Sequence, residues 1–149
     1  MLYLVGRWDD ALRTAEEFVA EVEAGSPHYQ EMNCRMVRGK IRLARGDLAG
    51  ALDDAHKAVA FAREAKDLQL IQPSFSFSAL VHALTGDADE AATLANEVLE
   101  AKPLMGMYVV DLPWAMRELR RGDEFLARAF APLPEGREPT PWRAAAIRP

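Results

Sequence analysis

Residues 6–12 recur twice along the chain, 40 residues further on each time. Gly6-Arg7-Trp8-Asp9-Asp10-Ala11-Leu12 lines up with Gly46-Asp47-Leu48-Ala49-Gly50-Ala51-Leu52 and with Gly86-Asp87-Ala88-Asp89-Glu90-Ala91-Ala92. A weaker fourth copy, Gly122-Asp123-Glu124-Phe125-Leu126-Ala127, follows after 36 residues. The columns continue through Ala15, Ala55 and Ala95, then Phe18, Ala58 and Val98, then Val19, Val59 and Leu99. Together they follow the i, i+1, i+4, i+7, i+8 spacing of one face of an α-helix. A unit recurring at this length cannot hide its apolar face alone and does so against the next copy.

The turn chemistry fits helix pairs. Glycine takes the left-handed conformation that stops a helix. The aspartate after it in the second and third copies can accept a backbone N–H bond at the start of the next. Helices are expected over Asp9–Ala24, His28–Arg45, Leu48–Lys66, Pro73–Thr85, Asp89–Lys102, Leu112–Arg121 and Asp123–Ala131. An earlier start with a bend at Pro73 is the alternative for the fourth, and Met1–Val5 reads as the tail of a preceding helix. In each copy the helix before the glycine is the A helix and the one after it the B helix. The array covers residues 1–131, with turns at Gly6, Gly46, Gly86 and Gly122. Residues 132–149 read as a Pro-rich linker and the start of a helix at Trp142. The stub at one end and the begun helix at the other lead us to expect a piece of a longer array, or open ends that stack on a second copy.

Composition narrows the function. Half the residues are apolar and 28% are charged, which suits packed helices. The net charge of −5 argues against a nucleic-acid surface. Cys34 is the single cysteine, no signal sequence is evident and no apolar run reaches membrane length, so the cytoplasm is the expected setting. There is no phosphate loop, no Gly-x-Gly-x-x-Gly, no Cys-x-x-Cys and no His-Glu-x-x-His. We therefore expect no catalytic residue, no cofactor and no metal. His56 has Asp53 one turn before it, which reads as a surface pairing sooner than as two metal ligands. Cys34 reads as a half-buried small residue, not a nucleophile.

The Gly-Asp-x-x-x-Ala turn, with Ala and large apolar residues on the following helix, resembles the tetratricopeptide repeat, over roughly residues 1–131. That family repeats every ~34 residues. Its small A-helix residue falls here on Gly39, Ala79 and Ala115, and its closing proline on Pro103. The family's pattern also puts Arg35, Arg38 and Arg42 where large apolar residues belong, so this helix should be rotated or packed differently. Leu43-Ala44-Arg45-Gly46-Asp47 and Thr140-Pro141-Trp142-Arg143-Ala144-Ala145 are similar to longer repeats in the carboxyl-terminal regions of bacterial signalling ATPases, LuxR-type regulators and cyclase-associated proteins among them. The resemblance implies an all-α, right-handed solenoid of antiparallel helix pairs. It implies a protein-binding or regulatory module of a larger bacterial signalling or transcriptional regulator, not an enzyme. A small-effector-sensing segment is the alternative, which a closed apolar pocket around Met36, Phe75 and Met116 would favour.

One constellation stands out. Arg35, Arg38, Arg42 and Arg45 lie within about 80° of one another on a helix. The matching positions are Ser78, His82 and Thr85 at the 40-residue offset, and Trp114, Glu118 and Arg121 at the 36-residue offset. Because A helices line the ligand-binding side of tetratricopeptide arrays, Arg35, Arg38, Arg42, Arg45, Ser78, His82, Glu118 and Arg121 form an expected partner-binding stripe. Its arginine end would take an acidic protein segment through charge-assisted hydrogen bonds. The competing reading is a solvated face paired with the acidic residues Glu16, Glu17, Glu21 and Glu23.

Overall fold

A computed structural model describes residues 2–101 and 110–129. The described residues are all-α, with no strand among them. The helices are α1 (Trp8–Glu23), α2 (Glu31–Ala44), α3 (Leu48–Ala65), α4 (Leu68–Thr85), α5 (Ala88–Glu100), α6 (Leu112–Glu118) and α7 (Gly122–Ala129). The expected helix stop at Pro103, the linker and the helix at Trp142 lie outside the described residues.

The repeat is written into the backbone. At the end of each A segment, the N–H one residue past the left-handed position donates to the carbonyl five residues back. This bond is Arg7 to Leu2 at 3.0 Å, Asp47 to Arg42 and Asp87 to His82 at 2.9 Å, and Arg121 to Met116 at 2.7 Å. Such a bond satisfies carbonyls that the helix end would otherwise orphan. Gly6, Gly46 and Gly86 supply the positive φ in the first three copies. In the fourth, Arg120 supplies it, with φ 59°, and Gly122 instead begins α7. The fourth turn thus comes 34 residues after Gly86, two earlier than the glycine spacing indicates. Burial agrees with this register, since Leu112, Ala115 and Met116 are buried as Ser78, Val81 and His82 are.

Side-chain caps hold the B helices where aspartate is present. Asp47 accepts from the Gly50 N–H at 2.9 Å and Asp87 from the Glu90 N–H at 3.2 Å. In the first copy Arg7 occupies that place and no side chain caps α1. Asp67 accepts from the Gln69 N–H at 2.8 Å, so α4 starts at Leu68 and carries Pro73 within it. That proline removes one helix donor, a loss the longer helix accommodates.

Each helix packs on its sequence neighbour, and α4 also packs on α2 and α6. The A helices thereby touch one another directly. The B helices are linked at their surfaces: Lys57 of α3 meets Glu23 of α1 at 3.2 Å, and Arg63 of α3 meets Glu97 of α5 at 3.0 Å. These two pairs stand at the same repeat positions with their signs exchanged. Between the rows, the columns Ala11/Ala51/Ala91, Ala15/Ala55/Ala95 and Val19/Val59/Leu99 are all buried. The alanines leave room for larger side chains from the A helices. Phe77 is wholly buried, and its ring edge approaches to 2.5 Å of where a Cβ on Gly39 would sit. Burying such a ring contributes about 1.5–3 kcal/mol, and only glycine at 39 leaves space for it.

Candidate functional site

The middle of the arginine stripe of α2 faces inward. Arg35 and Arg38 are only 3% and 7% exposed, and they close on Asp54 of α3, which has no exposed surface. Arg38 Nε donates to both carboxylate oxygens of Asp54 at 3.1 and 3.0 Å, and its Nη2 donates to Oδ1 at 2.6 Å. Arg42 Nη1 donates to Oδ2 at 3.1 Å. Arg35 Nη1 stands 3.8 Å from Oδ1, an ion pair without a hydrogen bond, while its Nε donates to Glu31 at 2.7 Å and its Nη2 to Glu23 at 3.1 Å. Burial works against the Arg38 charge, and the Asp54 bonds more than offset it, raising its pKa above the ordinary guanidinium value. The α2 helix thus turns Arg35 and Arg38 inward, toward α3. It keeps its arginines where apolar residues were expected and neutralises them from α3.

The remaining stripe residues do not continue one surface. Ser78 is buried and donates to the Ala55 carbonyl at 3.0 Å. His82 is 5% exposed. Arg45, on the outside, donates to Asp9 of α1 at 2.5 Å. Glu118 is exposed, and Arg121 pairs with Glu124 at 2.8 Å and donates to Asn96 at 2.7 Å. Because α6 ends two residues early, Glu118 and Arg121 fall outside the column of Arg42 and His82, and Met116 takes that place. Arg35, Arg38 and Arg42 are thus engaged by carboxylates of the chain itself, and the pairing with acidic α1 residues is present through Glu16, Glu23 and Asp9.

What the A helices do present is a groove of mixed polarity. A cleft of about 370 Å³ lies between α2 and α4 beside Val110, lined by Tyr29, Met32, Asn33, Met36, Gln69 and Pro73 among others. It continues across Asn33 and Met36 into a second cleft of about 270 Å³ against Tyr3, Leu4, Val37 and Lys40. Lys40 lies 2.7 Å from Asp111, just before α6, and 5.9 Å from the centre of the Phe77 ring. Burial, with Asp111 nearby, pushes the Tyr3 phenol up. Comparison with protein families, curated proteins and solved structures finds no match for this chain. Its function therefore rests on its own geometry. The groove offers exposed Tyr29 and Val110, 51% and 56% accessible, beside the amides of Asn33 and Gln69. Lys40, the cation among its described lining residues, is already paired.

The other sequence candidates sort by environment. Burial pushes the Cys34 thiol up, opposite to what a nucleophile needs. Asp53 turns to Lys57 at 3.0 Å. His56 instead packs against His82, a contact between two helices that no local spacing could reveal. The groove residues were equally hidden in the sequence. Met32, Asn33, Met36, Val37 and Lys40 sit on the arc of α2 flanking the arginines, and only the direction in which α2 packs separates inside from outside. Of the three residues named for an effector pocket, Met36 lines the groove and Phe75 and Met116 lie in the core.

Proposed function

We propose that the chain is a tetratricopeptide-like, right-handed α-solenoid that binds an apolar protein segment along its A-helix groove. It would serve as an interaction module of a larger bacterial signalling or transcriptional regulator. The observation that carries the reading is the pair of adjoining clefts from Tyr3 to Val110, which set Tyr29, Met32 and Met36 beside the amide side chains of Asn33 and Gln69. Binding there would draw on burial of anchors beside Tyr29 and Met36, with Asn33 and Gln69 bonding to the partner's backbone. The arginines contribute by holding α2 in place, so the partner's acidity is not what the site selects.

Panning a displayed peptide library on the purified chain tests this. Enrichment of apolar sequences is expected, with affinity falling at least about tenfold in Tyr29→Asp and unchanged in Arg45→Glu. Equal enrichment on both variants would remove the groove from the account. A small effector is the second reading, favoured by the cleft volume, which falls within the ~300–1,000 Å³ of small-molecule sites. Thermal stabilisation by small apolar compounds, abolished in Tyr29→Asp and with no peptide enrichment, would select it.

A further inference from the structure

The fold sets one residue column of the A helices against one of the B helices, and the pairing changes along the array. In the first pairing Arg42 Nη2 of α2 stands 3.7 Å from Glu16 of α1 and also reaches Asp54 of α3. Forty residues on, these positions are His82, His56 and Leu94. The salt-bridged guanidinium is replaced by two imidazoles, and the shorter side chains leave a cleft of about 180 Å³. His56, His82, Arg63 and Glu90 line it, with Val59 and Leu94 as apolar wall.

We propose that this cleft is a binding site for a divalent transition-metal ion of the Zn²⁺ type, with His56 and His82 as nitrogen ligands. The ring centroids are 5.3 Å apart and tilted by 45°. With Zn–N bonds of ~2.0–2.1 Å and a tetrahedral angle, two imidazole centroids on one ion lie about 5 Å apart. His82 Nδ1 is 3.2 Å from Asp87 Oδ2. A carboxylate can only accept, so Nδ1 carries the proton of this bond, and in the neutral ring Nε2 is the nitrogen left for a metal. This carboxylate-to-histidine bond is the outer-shell arrangement that orients metal-ligating histidines. Among the described residues no three His, Cys, Asp or Glu side chains already converge on one point. His82, oriented by Asp87, is the anchored ligand and His56 stands beside it; Glu90 would supply an oxygen by turning about its side-chain bonds, with water completing the tetrahedron. Arg63 is no obstacle: its guanidinium is bound to Glu97 at 3.0 Å and lies over the Phe75 ring at 5.2 Å.

Zn²⁺ titrated into the full chain should bind at one equivalent by calorimetry, and Co²⁺ at the same site should show the visible absorption of tetrahedral coordination. His56 is exposed, so His56→Ala leaves the fold intact by circular dichroism and should abolish the saturable phase. His82→Gln should do the same. Asp87→Asn keeps a capping side chain at the start of α5 yet should weaken binding by about tenfold. His28→Ala, outside the cleft, should change nothing. Absence of saturable binding, its persistence in the His56→Ala/His82→Gln double variant, or its loss in His28→Ala would each overturn the assignment.

Discussion

Asp54 has no exposed surface, and its two oxygens receive Arg38 and Arg42 while Arg35 stands close by. Taking that carboxylate away strands a buried guanidinium, which is far costlier than losing a surface pair. Asp54→Ala should therefore cost about 3–5 kcal/mol in urea unfolding. Arg45→Ala, whose partner Asp9 is largely exposed, should cost under about 1 kcal/mol. A small effect at Asp54 would mean that Arg38 finds water. At this scale the sequence misleads for a definite reason: four arginines on one helix read as a solvated face, because the counter-charge that allows Arg35 and Arg38 to be buried lies on another helix. Asp54 looks like any other helix carboxylate until α2 and α3 pack.

At the scale of elements, the turns carry the repeat. Lys66 ends α3 in the left-handed conformation, with φ 53° and ψ 29°, where a Cβ is strained. Lys66→Gly should raise stability by about 0.5–1 kcal/mol, the relief of ~1–2 kcal/mol being partly offset by a freer unfolded chain. Gly46→Ala, at φ 81°, should lower it by about 1 kcal/mol, measured in the same unfolding experiment. The expected helix ends at Gly46 and Gly86 hold because glycine there is both legible and used. The fourth does not hold, since Arg120 takes the left-handed position without being a residue type that announces it. The N-terminal limit of α4 was equally hard to read. Pro73 looks like a boundary, whereas Asp67 provides the cap that starts the helix before it.

Across the whole molecule, the B helices are linked by exposed ion pairs and the A helices by packing. Lys57 bonds to Glu23 and Asp53, and it holds both carboxyls below the usual carboxylate range, Arg35 adding to the effect at Glu23. A carboxyl whose folded pKa is depressed contributes stability that is present above its unfolded pKa, about 4, and is lost as pH falls through the folded value. Thermal stability should therefore decline on the acid side below about pH 4–5, and less steeply in Lys57→Met. Both partners are largely exposed, so the difference should be modest and should shrink in added salt. Identical acid limbs in the two proteins would show that this bridge carries no weight.

Sequence alone settled the helical class, the repeat, most of the helices and the buried alanine columns, because periodicity and turn chemistry act within a few residues of one another. It could not settle which arc of α2 faces α3, where the fourth turn falls, or that His56 meets His82. Those follow from packing: Phe77 seated on Gly39, a carboxylate from the next helix meeting the guanidinium of Arg38, and a left-handed arginine at position 120. Burial is a property of two surfaces, and each helix of this chain states only one of them.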